Sequence, residues 1–300
     1  MATIESMLNG QFTSNISVLD RGLNYGDGLF ETLAVVDQKP VMLDEHISRL
    51  FNGCEILHIN RPDKEKLYSD ILKICKESFI KVTSKNEKNT AQMTDCKKNL
   101  VLKIIVTRGI GERGYSFSDE MTANTILITS TYPHYHTDNW LTGIKARICD
   151  IQLSPQTKLA GLKHLNRLEQ ILARNEWNDE FAEGLMTDTQ GNLIDGVMTN
   201  IFLIKDNTLY TPKIDKCGVN GIMRQLVLKL CHSEGMIVEE TNIPLDMLES
   251  ADEVFVTNSL IGIWPLKSVD TIKFEKGKVT RSIMQKLTTE CSIDYATLCL

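Results

Sequence analysis

Lys163 is the residue whose setting most invites chemistry. It stands in Ala160-Gly-Leu-Lys-His-Leu-Asn-Arg-Leu-Glu-Gln-Ile-Leu172, just after the flexible Ala160-Gly161 pair. Leu162, Leu165, Leu168 and Leu172 recur at helical spacing, which predicts a helix from about Lys163 onward with one apolar face. A helix N-terminus carries partial positive charge, so an ammonium there is mildly unfavourable. A lysine tied up as a Schiff base removes that conflict, whereas a solvated loop lysine is the plainer reading. Arg49 and the Gly221 segment are suited to an anion. Arg49, on a predicted helix, could grip a phosphate with two parallel N–H groups or be an ordinary surface charge. Gly221 opens a second predicted helix, Gly221-Ile-Met-Arg-Gln-Leu-Val-Leu-Lys-Leu230, whose first amides, those of Ile222 and Met223, would face an anion.

The elements that must position these residues follow from periodicity. Residues 3–14 alternate around Asn9-Gly10, a hairpin signal. Residues 15–28 are loop-like. Gly26 and Gly28 form a Gly-x-Gly, but a strand-like run, 29–36, follows where a dinucleotide fold needs a helix. A short strand over 40–43 leads to Asp44, a predicted N-cap. Ile47, Leu50, Phe51, Cys54 and Leu57 then mark an amphipathic helix, and Leu67, Ile71 and Ile74 the buried face of another over about 63–80. The polar stretch 83–99 reads as a surface loop or insertion. Strands at 100–107 and 125–131 flank the glycine-rich loop Arg108-Gly-Ile-Gly-Glu-Arg-Gly-Tyr115. Further strands are expected near 144–151, 184–188, 198–204, 236–240 and 252–257, with a last helix over about 280–290. This predicts two domains of α/β or α+β type: a small one over 1–132, a linker at 133–139, and a larger one over 140–300 carrying Lys163.

Composition excludes several classes. The 300 residues are 42% hydrophobic and 24% charged, as in ordinary globular chains. A net charge of −6 argues against a nucleic-acid protein and a polybasic membrane binder. No apolar run reaches the length of a membrane span. The N-terminus lacks a signal-peptide pattern, so a cytoplasmic setting is expected. The eight cysteines contain no Cys-x-x-Cys pair, which leaves metal ligation by spacing unsupported.

Several segments, taken in order, resemble the class IV (fold type IV) pyridoxal-phosphate-dependent aminotransferase family. They are Asp20-Arg21-Gly22, Tyr25-Gly26-Asp27-Gly28, Phe30-Glu31-Thr32, His46-Ile-Ser-Arg49-Leu50, Thr107-Arg108-Gly109, the lysine segment, Thr199-Asn200-Ile201-Phe202, Tyr210-Thr211-Pro212 and Gly218-Val-Asn-Gly-Ile-Met-Arg-Gln225. The resemblance implies a two-domain, D-amino acid aminotransferase-like fold and a homodimer. It implies pyridoxal 5'-phosphate on Lys163, with its phosphate on Arg49, Ile222, Met223, Asn258 and Ser259. Arg108 would face a substrate carboxylate, as a planar guanidinium can, with Arg113 and Tyr115 as weaker candidates. Phe30, where relatives acting on D-amino acids have tyrosine, would give a less polar pocket wall. The implied reaction is a carbon–oxygen lysis of 4-amino-4-deoxychorismate to 4-aminobenzoate and pyruvate, in folate synthesis. A D- or branched-chain amino acid transaminase would share fold, lysine and phosphate site, and a non-catalytic cofactor carrier would share less.

Asp195 departs from the family pattern. In Gly191-Asn-Leu-Ile-Asp195-Gly196 the family usually places glutamate, paired with the pyridine nitrogen so that the ring can accept electrons. Aspartate is one methylene shorter. Either the backbone lies closer, a water bridges the gap, or the role is weakened. A turn aspartate before Gly196 is the competing reading.

Overall fold

The computed structural model describes residues 2–86, 99–275 and 277–298. The chain divides into two compact units. One comprises the chain up to His134 together with Lys163–Asn166 and Leu298; the other comprises Tyr135–Leu162 and Arg167–Thr297. Most of the polar 83–99 stretch lies outside the described residues; its described start continues the preceding helix to Asn86.

The first unit is built on an antiparallel sheet in the order Gln11–Phe12, Thr3–Leu8, Asn124–Thr131, Leu100–Thr107, Gly28–Val36, Lys39–Pro40. Alternation along its strands separates two faces. Leu29, Leu33, Leu102, Ile104, Val106 and Leu127 are buried on the side packed by helices Leu43–Ile56 and Lys64–Asn86. Those helices bury Ile47, Leu50, Cys54, Leu67, Ile71 and Ile74, the positions their periodicity predicts. Phe30, Thr32, Lys103 and Ile105 alternate with the buried set and are only half-buried.

In the second unit a mixed sheet runs Val238–Thr241, Thr208–Pro212, Asn200–Lys205, Glu253–Asn258, Gly262–Val269, Ile144–Ile148, Glu183–Thr187, Asn192–Gly196, Ile243–Pro244. Asn192–Gly196 also pairs with Asn200–Lys205, through Asp195 and Asn200, which closes the path into a ring of six strands. Stacked Phe202 and Phe255, with ring centroids 5.0 Å apart, lie on two neighbouring strands of that ring. Helices Ile222–Ser233 and Lys278–Cys291 pack on each other and on the sheet.

Three local expectations change. Lys163 does not open a helix. The Phe30 N–H donates to the Lys163 carbonyl (2.9 Å), and the Leu165 N–H to the Gly28 carbonyl (3.0 Å). These bonds hold 163–165 extended beside the strand Gly28–Val36, and the helix begins only at Leu168. The segment therefore groups with the first unit, and the helix-dipole argument for Lys163 falls away. Asp44 is not an N-cap; Met42 holds that position at φ 51°, and Asp44 accepts a hydrogen bond from the Tyr68 hydroxyl instead. The loop-like 15–28 contains a one-turn helix, Arg21–Tyr25, capped by Asp20 and stopped by Gly26 at φ 65°.

Asp20 is fully buried and accepts from Gly22 N–H (2.8 Å), Thr107 Oγ1 (2.8 Å) and Asn124 Nδ2 (2.7 Å). It ties the start of the helix to two strands. Asp20→Ala orphans three donors and is expected to lower the unfolding free energy by about 3 kcal/mol. Denaturant titration checks this, and an unchanged midpoint would show that water replaces the carboxylate.

Candidate functional site

The predicted residues fall into two groups, one in each unit. In the first, Lys163 Nζ lies 4.4 Å from the centroid of the Phe30 ring, and Lys103 Nζ lies 5.0 Å from the same ring. Lys103 sits across the sheet from Thr32, on the face Phe30 shares. Burial holds its amine below the usual lysine range. His164 follows Lys163 in extended chain, where successive side chains point to opposite faces. That keeps the lysine amine, not the imidazole, against Phe30.

Arg49 is oriented by a carboxylate. It donates from Nε to Glu31 Oε1 (2.8 Å) and from Nη2 to Oε2 (2.5 Å), and His46 Nδ1 lies 2.6 Å from Oε2. The Nε–Nη2 fork thus belongs to Glu31. Burial alone would push the Glu31 carboxyl up. The Arg49 charge and the His46 hydrogen bond outweigh it and bring the pKa to about 2. Burial, helped by the charges of Arg49 and Lys163, holds His46 below its ordinary range despite Glu31, so a neutral imidazole donates from Nδ1. Glu31 was named only as part of a motif. Its phase, between Leu29 and Leu33 on the buried side of a strand, was the signal that it needs cationic partners.

Arg108 is engaged by groups of the protein itself. It donates from Nε and Nη2 to Asp27 (2.7 and 3.0 Å) and from Nη1 and Nη2 to the carbonyls of His58 (2.6 Å) and Leu57 (2.8 Å). Four of the five guanidinium N–H groups are thereby engaged. Asp27 also accepts from Arg21 (2.8 Å), whose other nitrogens reach the carbonyls of Gly114 (2.9 Å), Tyr115 (3.2 Å) and Ser116 (3.4 Å). The pair Arg21 and Arg108 therefore anchors the glycine-rich loop. Arg113 and Tyr115 are exposed on that loop, Tyr115 by 86%.

In the second unit Asp195 is buried within a strand rather than in a turn. Asn200 Nδ2 donates to its Oδ1 (2.7 Å) and the Val219 N–H to its Oδ2 (2.7 Å). Burial pushes this carboxyl up to about 7 against those hydrogen bonds. Asn200 Nδ2 also donates to the Val219 carbonyl (2.8 Å). Gly161 pairs with the same segment, its N–H donating to Gly218 O (3.0 Å) and its carbonyl accepting from Asn220 N–H (3.1 Å). Helix Ile222–Ser233 opens at Gly221 without a side-chain cap, so the Ile222 and Met223 amides remain for an anion. A Cβ on Gly221 would meet Asn200 Oδ1 at 2.0 Å. Asn258 is already employed: Nδ2 donates to Met198 O (3.2 Å), and Oδ1 accepts from Leu260 N–H (2.8 Å) and Ile261 N–H (3.0 Å). It braces the turn that carries half-buried Ser259.

The Amino-transferase class IV family profile matches residues 28–269 of this chain. An aminodeoxychorismate lyase of Vibrio harveyi is 31% identical over 287 residues, covering 94% of this chain and 99% of that protein. The crystal structure of 4-amino-4-deoxychorismate lyase from Pseudomonas aeruginosa superposes with a TM-score of 0.86 at 38% identity, covering 96% of this chain and 100% of the other. The branched-chain amino acid aminotransferase of Escherichia coli shares the fold, with a TM-score of 0.77 at 23% identity over 97% and 95% of the two chains.

A testable consequence concerns Glu31. Its folded pKa of about 2 lies below the ordinary 4.5, so its stabilisation is fully present above about pH 4.5 and is lost as pH falls through 2. The shift corresponds to roughly 3 kcal/mol. Glu31→Gln should therefore be less stable than the wild type at pH 6, with the gap closing toward pH 2.5. Equilibrium denaturation at both pH values reads the difference; a gap that does not change with pH would remove the ion-pair account.

Proposed function

This chain belongs to the class IV aminotransferase family, whose members bind pyridoxal phosphate, and from that premise we propose that it is a lyase converting 4-amino-4-deoxychorismate to 4-aminobenzoate and pyruvate. The observation carrying this reading is the 38% identity, over nearly the whole of both chains, with a solved lyase, against 23% for the solved branched-chain transaminase. The reading takes the protein as a homodimer working in the cytoplasm. Among the described residues no helix is long and apolar enough to cross a membrane.

The residues present fit the cofactor. Lys163 offers an amine beside an aromatic wall. Gly221 opens a helix with no side-chain cap, at a Cα too crowded for a side chain. Asp195 is a buried carboxylate with only neutral donors, and a cationic pyridine nitrogen would favour its charged form. Arg49, steadied by Glu31, in the first unit, and the Ile222 and Met223 amides with Ser259 in the second, are each suited to a phosphate. The chemistry the cofactor supplies when bound is an electron sink.

Lys163 Nζ does the proton work. Lys163 would be the base that takes the proton from the substrate carbon bearing nitrogen. The neighbouring carbon–oxygen bond breaks, and Lys163 can return the proton to the departing pyruvate unit. Phe30 lies against the lysine amine and brings no hydroxyl to compete for its proton. Lys103, across the same ring, and Arg113, on the anchored loop, are the cations we assign to the two substrate carboxylates in place of Arg108.

Incubation with 4-amino-4-deoxychorismate is expected to release pyruvate and 4-aminobenzoate in equal amounts. Borohydride reduction followed by peptide mapping should place the pyridoxyl group on Lys163. Exchange of amino acid with 2-oxo acid, without pyruvate release, would reassign the protein as a transaminase, and label on another lysine would end the mechanism above. The arginines separate in their own experiment. Arg113→Ala should raise KM about tenfold or more, the loss of one charge-assisted contact, and leave stability alone. Arg108→Ala should lower the denaturation midpoint because Asp27 loses a partner. The opposite pattern would restore Arg108 as the substrate residue.

A further inference from the structure

Glu183 is enclosed, with 1% of its surface exposed, and nothing in the proposed chemistry uses it. It stands at the start of strand Glu183–Thr187, and the turn between Asp195 and Asn200 folds against it. Thr199 Oγ1 donates to Oε2 (2.8 Å), the Met198 N–H reaches the same oxygen (3.4 Å), and the Gly184 N–H donates to Oε1 (2.9 Å). The turn is closed by Gly196 N–H to Thr199 O (2.7 Å) and tied back by Val197 N–H to Gly184 O (2.9 Å). Gly196 has no room for a side chain: a Cβ there would lie 2.2 Å from Thr199 Oγ1 and 2.9 Å from Glu183 Oε2. The outer side of the turn has a task as well, since the Met198 carbonyl accepts from Asn258.

Among the described residues Glu183 has no cation partner. Its donors are amides and one hydroxyl, and burial pushes its carboxyl up to about 7 against them. A buried carboxylate without a countercharge is a net cost to the fold, so a turn that needed only closing would be served better by a neutral acceptor. What this carboxylate adds is two donors drawn to one oxygen from consecutive residues, Met198 and Thr199. That fixes the path from Asp195 to Asn200, the residue that clamps Asp195.

We propose that Glu183 is a positioning residue. Through Thr199 and the Met198 amide it sets the 196–199 turn, and thereby where the Asp195 carboxylate stands relative to Asn200 and to the cofactor. The part concerning the cofactor rests on the assignment of Asp195 made above; the part concerning the Asp195–Asn200 pair does not.

The experiment compares Glu183→Gln, Thr199→Val and Thr199→Ser with the wild type in two arms. In the cofactor-free protein, carbon-13 NMR follows the Asp195 carboxyl. Loosening the turn in Thr199→Val admits water and should lower its pKa by about one unit or more, and Thr199→Ser should restore the wild-type value. In the second arm, pyridoxal phosphate is titrated into each protein. Glu183→Gln and Thr199→Val should bind it about tenfold more weakly, the loss of one hydrogen bond to a charged group. Both should also alter the visible circular-dichroism band of the bound cofactor, and Thr199→Ser should keep both properties. A wild type that does not bind pyridoxal phosphate refutes the proposed function, and the NMR arm still decides the role of Glu183. Wild-type Asp195 titration in Thr199→Val, with a lowered melting midpoint as the sole effect, makes Glu183 a fold stabiliser and overturns the proposal. If Glu183→Gln does not fold, Thr199→Val carries the test, because it leaves the carboxylate in place.

Discussion

The clamp on Asp195 is the interaction on which the second unit's chemistry depends. Its two donors, Asn200 Nδ2 and the Val219 N–H, each belong to a segment with another task. Asn200 lies against Gly221, where the helix begins whose first amides suit a phosphate. Val219 lies between Gly218 and Asn220, both hydrogen-bonded to Gly161, two residues before Lys163. A shift of Asp195 therefore strains the Gly161 pairing and the helix start together. Hydrogen bonds spread over three segments make the arrangement all-or-none, because a buried donor without its acceptor costs more than the bond itself contributes.

Two ways of burying a carboxylate operate in this chain. Glu31 is surrounded by Arg49 and His46, and its charge is held so firmly that its pKa drops to about 2. Asp195 and Glu183 are as deeply enclosed but receive hydrogen bonds only from uncharged groups, and both rise to about 7. Glu31 is thus a fixed anion whose work is to aim a guanidinium. Asp195 feels the charges of Arg224 and Arg167, but burial outweighs them together with its hydrogen bonds. Burial is the same in both; what differs is whether a charged group donates directly to the carboxylate.

Much of this was legible in the sequence, because regular alternation and helical spacing reflect burial directly. Leu67, Ile71 and Ile74 were placed by period alone, and so was the strand following Tyr25-Gly26-Asp27. The lysine segment misled because its leucines keep helical spacing while its backbone is captured by the strand Gly28–Val36, a contact between residues more than 130 positions apart. Leu168, Ile171 and Leu172 of the short helix that does form are more than half exposed, so the apolar stripe did not report burial in the described chain. Arg108 is a related case: spacing identifies a guanidinium but not what occupies it, and Asp27 lies 81 positions away. Asn200 was named only within a motif and Glu183 carried no signal, since a polar residue inside a strand is informative only once its partners are known.

The aspartate at 195 can now be considered with its surroundings. A turn residue would be exposed and paired with its own following backbone; Asp195 is buried and paired with Asn200 and Val219 instead. The segment that supplies the Val219 amide approaches closely because Gly218 precedes it, at φ 88°, where a side chain would come within 2.9 Å of Asp195 Oδ2. A carboxylate one methylene longer would have to displace that segment, and with it the Gly161 pairing that leads to Lys163. The shorter side chain and the glycine opposite it are thus matched.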